Sequence, residues 1–314
     1  MFLAGNPAVD RVYRVSRIRV GGIHRPTLTR VLAGGKGLNA ARAARLLGAK
    51  THVVAVLGGM SGRWAAQALA ADGISGSFVW IQAETRTCVS IASEEEPRGI
   101  MTSFYERADP AGPAVWDQLM SATEHAIEEA EILCLSGSLV PGLPVDAYRR
   151  IGELARGRGV KVLIDSHGDH LREGLKAGPS LVKINAEEAG ELLDRELPGE
   201  DLLRWAAAAA REVQGSVESK PTVVITCGPS GIAMAPSFGQ PLVGCVDRVG
   251  PYPVGSGDAV FGSIAVSVTH AAPEREMLAM ALAAGAANAD VPGPGLLDPI
   301  RTQELAAQVS LASI

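Results

Sequence analysis

The sequence predicts a layered α/β protein with a mainly parallel sheet and a small separate β lid. Short β-rich runs alternate with longer helical runs along most of the chain. The strand-like runs end in small or polar residues, which suits the carboxyl ends of parallel strands, where open α/β sheets bind ligands. Two segments, Asp10 to Leu32 and Thr85 to Arg107, break the rhythm: each reads as strand–turn–strand with no crossover helix directly after it. These two are expected to pair into the lid.

The elements follow in order. After the first lid segment, "VLAGGKGLNAARAARLLGA" (Val31 to Ala49) sets three glycines and a lysine before an Ala/Leu/Arg-rich helix. "THVVAVLG" (Thr51 to Gly58) is a strand, and "RWAAQALAADG" (Arg63 to Gly73) a helix closed by glycine. Beyond the second lid segment come four apolar strands, Glu131 to Ser138, Val160 to Gly168, Ser180 to Asn185 and Pro221 to Gly228. The helices "VDAYRRIGELARGRG", "AEEAGELL" and "DLLRWAAAAAREVQ" fall between them. "GDAVFGSIAVSVTH" and "EREMLAMALAAGAANAD" close the chain as helices rich in small residues, able to pack closely. No fixed period repeats, which excludes a solenoid.

At 314 residues and 47% hydrophobic content the chain can bury one large core. A net charge of −5 gives no support to a nucleic-acid or acidic-membrane partner. Cys88, Cys134, Cys227 and Cys245 lie singly in strand-like runs without C-x-x-C spacing, and read as buried, reduced thiols. The start lacks the basic leader of a signal peptide, and no apolar run approaches a membrane span. The expectation is a cytoplasmic enzyme.

Glycines opening a helix often present backbone amides to an anion. In the first stretch, Gly35, Gly37 and Ala40 fit the loose dinucleotide pattern G-x-G-x-x-A. That pattern also needs an acid closing the next strand, and the first acid after it, Asp72, lies in the following helix. A Walker A loop fails because Lys36 is followed by Gly37. A helix entry with close packing stays open as the plain reading.

The second stretch, "YPVGSGDAVFGS" (Tyr252 to Ser263), adds an acid, Asp258, in the first helical turn. The amides of Gly255, Ser256, Gly257 and Asp258 are expected to converge on an anion, helped by the positive helix end. Asp258 reads either as a first-turn acid favoured by the dipole or as the general base of a phosphoryl transfer. The helix end is expected to depress its pKa.

With these residues in view, the chain resembles the PfkB (ribokinase-like) family of carbohydrate kinases. "GGKGLNAARAARLLGA" and "PVGSGDAVFG" look like the family's paired signatures, and "SGSLVPGLPVDAY" and "VKINAEEAGELL" are similar to further motifs in the expected order. "NPAVDR" resembles the start of the 1-phosphofructokinase and tagatose-6-phosphate kinase branch. The resemblance covers essentially the whole chain. It implies a three-layer α/β/α sandwich with a small β lid, as one kinase domain over residues 1–314 with lid segments near 10–32 and 85–107, using ATP and Mg²⁺.

The resemblance also implies roles. Asp258 is the catalytic base, and Gly255, Ser256 and Gly257 form the anion hole. Asp10, Gly34, Gly35 and Asn39 hold the sugar; Lys36, Arg86 and Ser138 converge on a phosphate it already carries, with Arg25 a further candidate. Lys183 contacts ATP phosphates, while Asn185 and Glu188 hold Mg²⁺ largely through water. Thr226, Gly228 and Gly231 surround the phosphates and ribose, and Asn288 closes the adenine pocket. Two departures stand out: Ile184 replaces a usual proline, and Tyr252 a common asparagine.

The leading expectation is a kinase taking fructose 1-phosphate to fructose 1,6-bisphosphate. Tagatose 6-phosphate, fructose 6-phosphate and an unphosphorylated sugar or nucleoside stay open as acceptors, although 4% aromatic content offers few stacking partners for a nucleoside. A non-catalytic sugar-phosphate sensor is the alternative from another class, but a sensor needs no base. A dehydrogenase is a distant third. The exposed strand edges of the lid suggest a homodimer through it.

Overall fold

Runs such as "HVVAVLG" and "TVVIT" are apolar at consecutive positions, as strands buried on both faces must be. The computed structural model describes residues 1–96, 100–248 and 250–314, so residues 97–99 of the second lid segment lie outside it. Its first half contains β1 (Phe2–Ala4), β2 (Ala8–Val15), β3 (Leu28–Gly34), α1 (Lys36–Leu46), β4 (His52–Gly58), α2 (Gly59–Ala71), β5 (Ser75–Ile81), β6 (Thr87–Ser93), β7 (Met101–Tyr105), α3 (Ala114–Ile127), β8 (Ile132–Ser136) and α4 (Ala147–Gly157). There follow β9 (Lys161–Asp165), α5 (Gly168–Leu175), β10 (Leu181–Asn185), α6 (Ala186–Leu193), α7 (Leu202–Ser216), β11 (Thr222–Thr226), β12 (Ile232–Ala235), β13 (Leu242–Cys245), α8 (Ser256–Thr269), α9 (Glu274–Ala289), α10 (Pro299–Ala306) and β14 (Ser310–Ser313).

Ten strands form one sheet in the order β14-β13-β12-β11-β10-β9-β8-β1-β4-β5. The strands from β5 to β11 are parallel, and β12, β13 and β14 extend the sheet antiparallel. Alternate side chains serve opposite faces. Leu3, Val54, Leu133 and Ile164 pack with the helices α3, α4, α6 and α7, whereas Phe2, Val53, Cys134 and Leu163 pack with α1, α2, α8 and α9. The result is the three-layer α/β/α sandwich.

Both rhythm-breaking segments pair in a second sheet, ordered β3-β2-β6-β7. Register places Asp10 beside Cys88 and Cys88 beside Tyr105. Tyr252 is buried against Val12 and Ala92 of this sheet, so the residue that departs from the family pattern ties the small sheet to the second glycine turn. Small residues let α1 and α8 meet closely: a Cβ at Gly262 would lie 2.4 Å from the Ala40 carbonyl oxygen. This contact sets the two glycine-rich helix entries side by side.

Several elements differ from the sequence reading. Helix α2 begins at Gly59, not Arg63, because the Glu84 carboxylate accepts from the Met60 and Ser61 amides at 3.0 and 2.9 Å and caps the extra turn. The strand feeding the first glycines is β3, which belongs to the small sheet, so the dinucleotide arrangement is absent. Cys88, Cys134 and Cys227 are buried, but Cys245 is exposed at the end of a short antiparallel strand near the sheet edge. Among the described residues no helix is long and apolar enough to cross a membrane.

Candidate active site

A cavity of about 820 Å³ opens where the carboxyl ends of β1, β8, β9, β10 and β11 face the small sheet. The strand order reverses around β1, as it does where open α/β sheets bind ligands. Asp10, Arg86 and Cys88 of the small-sheet segments, both glycine turns, Lys183 and Thr226 all line it. Its size is that of a site for a small ligand or cofactor.

Asn39 is the hinge of one half. Its Nδ2 donates to Asp258 Oδ2 at 2.9 Å and to Asp10 Oδ2 at 3.3 Å, while its Oδ1 accepts from Arg42 Nη1 at 3.3 Å. Arg42 is buried, and its guanidinium also donates to the carbonyls of Ala33 and Pro294 and to Asp72. It thus joins α1 to the end of β3, the end of α2 and the loop after α9. Asp10 Oδ2 further accepts from the Gly35 amide at 3.3 Å. Gly34 has to be glycine, since a Cβ there would lie 2.0 Å from Asp10 Oδ2. Burial pushes the Asp10 carboxyl above its ordinary pKa, against the Gly35 and Asn39 hydrogen bonds.

Asp258 is buried in the first turn of α8. Burial, reinforced by the charge of Asp165, pushes its pKa up to about 7 against the pull of Lys36, Asn39 and Lys183. The expected depression by the helix end is therefore corrected: loss of water and a neighbouring carboxylate outweigh the dipole. Gly255 holds φ +87° ahead of this turn, and a Cβ there would lie 2.4 Å from Pro294 Cα. The Ser256 amide donates to the Pro253 carbonyl at 3.0 Å, so it is not among the amides available to an anion. Those of Gly255, Gly257 and Asp258 have no acceptor among the described residues.

The other half is a charge cluster. Asp165, fully buried at the end of β9, accepts from Lys183 Nζ at 3.1 Å and from Lys36 Nζ at 3.3 Å. Burial alone would raise its pKa, but the two lysines hold it below the ordinary carboxylate range. Lys36 Nζ also reaches Glu188 Oε1 at 3.0 Å. Burial opposes its charge, and the carboxylates of Asp165, Glu188 and Asp258 more than reverse that. Lys183 lies against the second glycine turn, 3.1 Å from where a Gly257 Cβ would stand.

A buried base beside an amide-lined turn, faced by two lysines, is suited to phosphoryl transfer. The model of "pfkB family carbohydrate kinase" matches residues 4–301. The chain belongs to that family. It is a carbohydrate kinase, a phosphotransferase with an alcohol group as acceptor. A tagatose-6-phosphate kinase from Staphylococcus epidermidis is 27% identical over 311 residues, spanning 98% of each chain. The structure of phosphofructokinase-2 from Escherichia coli in complex with substrates and products matches with TM-score 0.85 at 27% identity, covering 97% of both chains. A "Possible 1-phosphofructokinase" from Thermotoga maritima shares the fold, with TM-score 0.87 at 18% identity over 99% of this chain and 98% of that one.

In the kinase, most residues singled out from the sequence line the cavity; Gly34, Glu188, Asn288 and Arg25 do not, with Glu187 in the lining where Glu188 was expected, and Lys36 lines it with partners other than the expected one. Lys36, expected on the phosphate of the sugar, lies between Asp165 at the end of β9 and Glu188 in the first turn of α6, whose carboxylates draw it toward the other half. Asn288 does not line the cavity. Its Nδ2 donates to the Val254 carbonyl at 3.2 Å and its Oδ1 accepts from the Gly295 amide at 2.7 Å, which ties the loops around the second glycine turn to α9. The side chains of Leu282 and Ala286 on the same helix line the cavity there. Arg25 is exposed in the loop between β2 and β3, away from the cavity.

The remaining residues stand at strand ends. Asn185 caps α6, accepting from the Glu188 amide at 2.7 Å, while Glu188 Oε2 accepts from the Asn185 amide at 2.8 Å. This capping box accounts for both residues locally and leaves Glu188 Oε1 for Lys36. Among the described residues no group of three or more His, Cys, Asp or Glu is arranged to hold a metal. Thr226, Gly228 and Gly231 line the far side of the cavity, the glycines with φ +55° and +121°. Arg86 and Ser138 line the opposite side. The sequence reading overlooked Asp165 and Arg42. Asp165 carried a signal, an acid closing the apolar strand "KVLID", whereas the burial of Arg42 in an alanine-rich helix had none.

Proposed function

We propose that this kinase transfers the γ-phosphoryl group of ATP to a hydroxyl of a ketohexose phosphate, with fructose 1-phosphate, converted to fructose 1,6-bisphosphate, as the leading acceptor. The observation that carries the reading is Asn39, whose single amide nitrogen holds both Asp10 and Asp258. Asp10 suits adjacent sugar hydroxyls, since a carboxylate accepts from two at once. That leaves the acceptor hydroxyl beside Asp258. The likeness to a tagatose-6-phosphate kinase and to phosphofructokinase-2 supports a phosphorylated acceptor.

The sugar hydroxyl oxygen forms its bond to the γ-phosphorus as the bond from that phosphorus to the β–γ bridging oxygen breaks, and ADP leaves. The hydroxyl proton passes late to Asp258, which releases it to solvent. A loose transition state asks little of the base beyond position, and a pKa near 7 supplies proton affinity at working pH. The amides of Gly255, Gly257 and Asp258 donate to the equatorial oxygens, with Lys183 and Lys36 offsetting negative charge on the nucleotide side.

Mg²⁺ accompanies ATP. Glu188 and Asn185 would hold it through water, Glu188 Oε1 becoming available once Lys36 turns from it to the phosphates. When bound, the ion neutralises phosphate charge. The small sheet acts as a lid over the sugar, fastened at Tyr252.

The test is coupled ADP release with Mg-ATP across fructose 1-phosphate, fructose 6-phosphate, tagatose 6-phosphate, fructose and ribose, beside Asp258→Asn. The expected result is turnover with one phosphorylated ketohexose, lost in the variant. Turnover with neutral sugars alone overturns the choice of acceptor, and undiminished turnover in Asp258→Asn overturns the base.

A further inference from the structure

Beneath the small sheet, two buried polar atoms on neighbouring residues have no hydrogen-bond partner among the described residues: Asn6 Oδ1 and Arg86 Nε. Both residues line the cavity. Asn6 lies between β1 and β2, directly before Pro7, a position that favours an extended backbone. Its carbonyl accepts from Arg86 Nη2 at 3.3 Å, and its Nδ2 donates to Ser138 Oγ at 3.0 Å. Its main chain also abuts the first glycine turn, with its carbonyl oxygen 3.1 Å from where a Gly35 Cβ would stand. One residue thus touches the sugar turn, the small-sheet arginine and the serine at the end of the main sheet.

These bonds orient donors. Ser138 Oγ accepts from Asn6, so its one proton is left for another acceptor. Arg86 gives one N–H of Nη1 to the Glu106 carbonyl at 3.1 Å and one of Nη2 to Asn6, which fixes the guanidinium plane and leaves Nε–H, a buried donor, without a partner among the described residues. A serine hydroxyl and an arginine N–H held on one side of a cavity suit the oxygens of a phosphate monoester.

We propose that Asn6 is the positioning residue that makes this kinase selective for a phosphorylated over a neutral sugar, by orienting Ser138 and Arg86 together. This rests on the phosphorylated-acceptor reading above. Asp at this position would accept from the Ser138 hydroxyl, turning its proton away from the substrate, and would add negative charge beside the anion. Ala would release Ser138 without adding charge.

The experiment measures KM for the phosphorylated ketohexose, for its unphosphorylated counterpart and for MgATP in wild type, Asn6→Asp and Asn6→Ala, with thermal melts. Asn6→Ser serves in place of any variant that does not fold. The expected result is a rise in the sugar-phosphate KM of about tenfold or more in Asn6→Asp, with a smaller rise in Asn6→Ala. The neutral-sugar and MgATP KM should move less than about twofold, which a general structural defect would not produce. If wild type accepts only neutral sugars, the underlying reading fails and the proposal with it. If wild type accepts the sugar phosphate and every folded Asn6 variant keeps its preference over the neutral sugar, the positioning role alone is overturned.

Discussion

The position of Asp258 makes the acidic limb of the pH–rate profile the most discriminating measurement. An ordinary aspartate ionises near 3.8, whereas burial and the neighbouring Asp165 charge push this one up to about 7. The base acts ionised, so activity must rise as pH passes upward through that value. With a pKa of about 7, roughly one tenth of the protein carries the ionised base at pH 6 and roughly nine tenths at pH 8, a change in kcat/KM of about tenfold. An unperturbed aspartate would give no change over that interval.

The substrate complicates the reading, because a phosphate monoester has its own ionisation near pH 6. Lys36 separates the two, since its charge lowers the pKa of Asp258. Lys36→Met should therefore move the limb upward by about one pH unit, the low end of what a nearby charge does to a carboxylate. An ionisation on the substrate would not move. The assay is coupled ADP release from pH 5 to 9, with kcat and kcat/KM taken separately in both proteins. A wild-type limb at or below pH 5, or one that stays in place in Lys36→Met, refutes the assignment.

Gly34→Ala, whose Cβ would fall 2.0 Å from Asp10 Oδ2, should displace that carboxylate; steady-state kinetics should give a sugar KM raised about tenfold or more, with the MgATP KM nearly unchanged. Asp258→Asn should abolish turnover yet stabilise the fold. The folded protein keeps a proton that the unfolded chain loses near 3.8, so the stability contributed by this group falls as pH rises from about 4 to about 7 and is level above that. At about 1.4 kcal/mol per pH unit the ionised group weighs on the fold by up to about 4 kcal/mol, and melting curves should show the variant's advantage widening across that window. The outer face of the small sheet carries Tyr13 beside Ile91 and Val89 beside exposed Phe104. Light scattering is expected to give a dimer that Phe104→Glu separates; a wild-type monomer at all concentrations would refute this.

Legibility in the sequence followed the range of the interactions. Helix α6 matches "AEEAGELL" end to end because a local capping box defines its start, and the four apolar strands from β8 to β11 match because burial on both faces leaves few polar residues in them. The two segments of the small sheet were visible through their alternation. Harder were α2, whose first turn is capped by Glu84 from a loop more than twenty positions away, and the pKa of Asp258, which depends on Asp165. The ion pairs of Lys36 were hidden for the same reason. Its partners stand on β9 and at the start of α6, and no local pattern joins them to the first glycine turn.

The two glycine stretches raise the same expectation in sequence and take different parts in the structure. Gly34 and Gly35 make room for a side chain: the Asp10 carboxylate occupies the space that a Gly34 Cβ would take, and the Gly35 amide donates to it. Gly255 makes room for the chain itself, with φ +87° and the Pro294 backbone where its Cβ would be, so that three amides are left facing a cavity. Asn39 and Arg42 hold the two turns at a fixed separation, Asn39 through the two carboxylates and Arg42 through the Ala33 and Pro294 carbonyls. Positioning of this kind suits a reaction in which the protein contributes little covalent chemistry and acts through geometry and charge. It also accounts for a buried arginine in an alanine-rich helix: with Met in place of Arg42 the Asn39 amide loses the partner that orients it, and with it the link between Asp10 and Asp258.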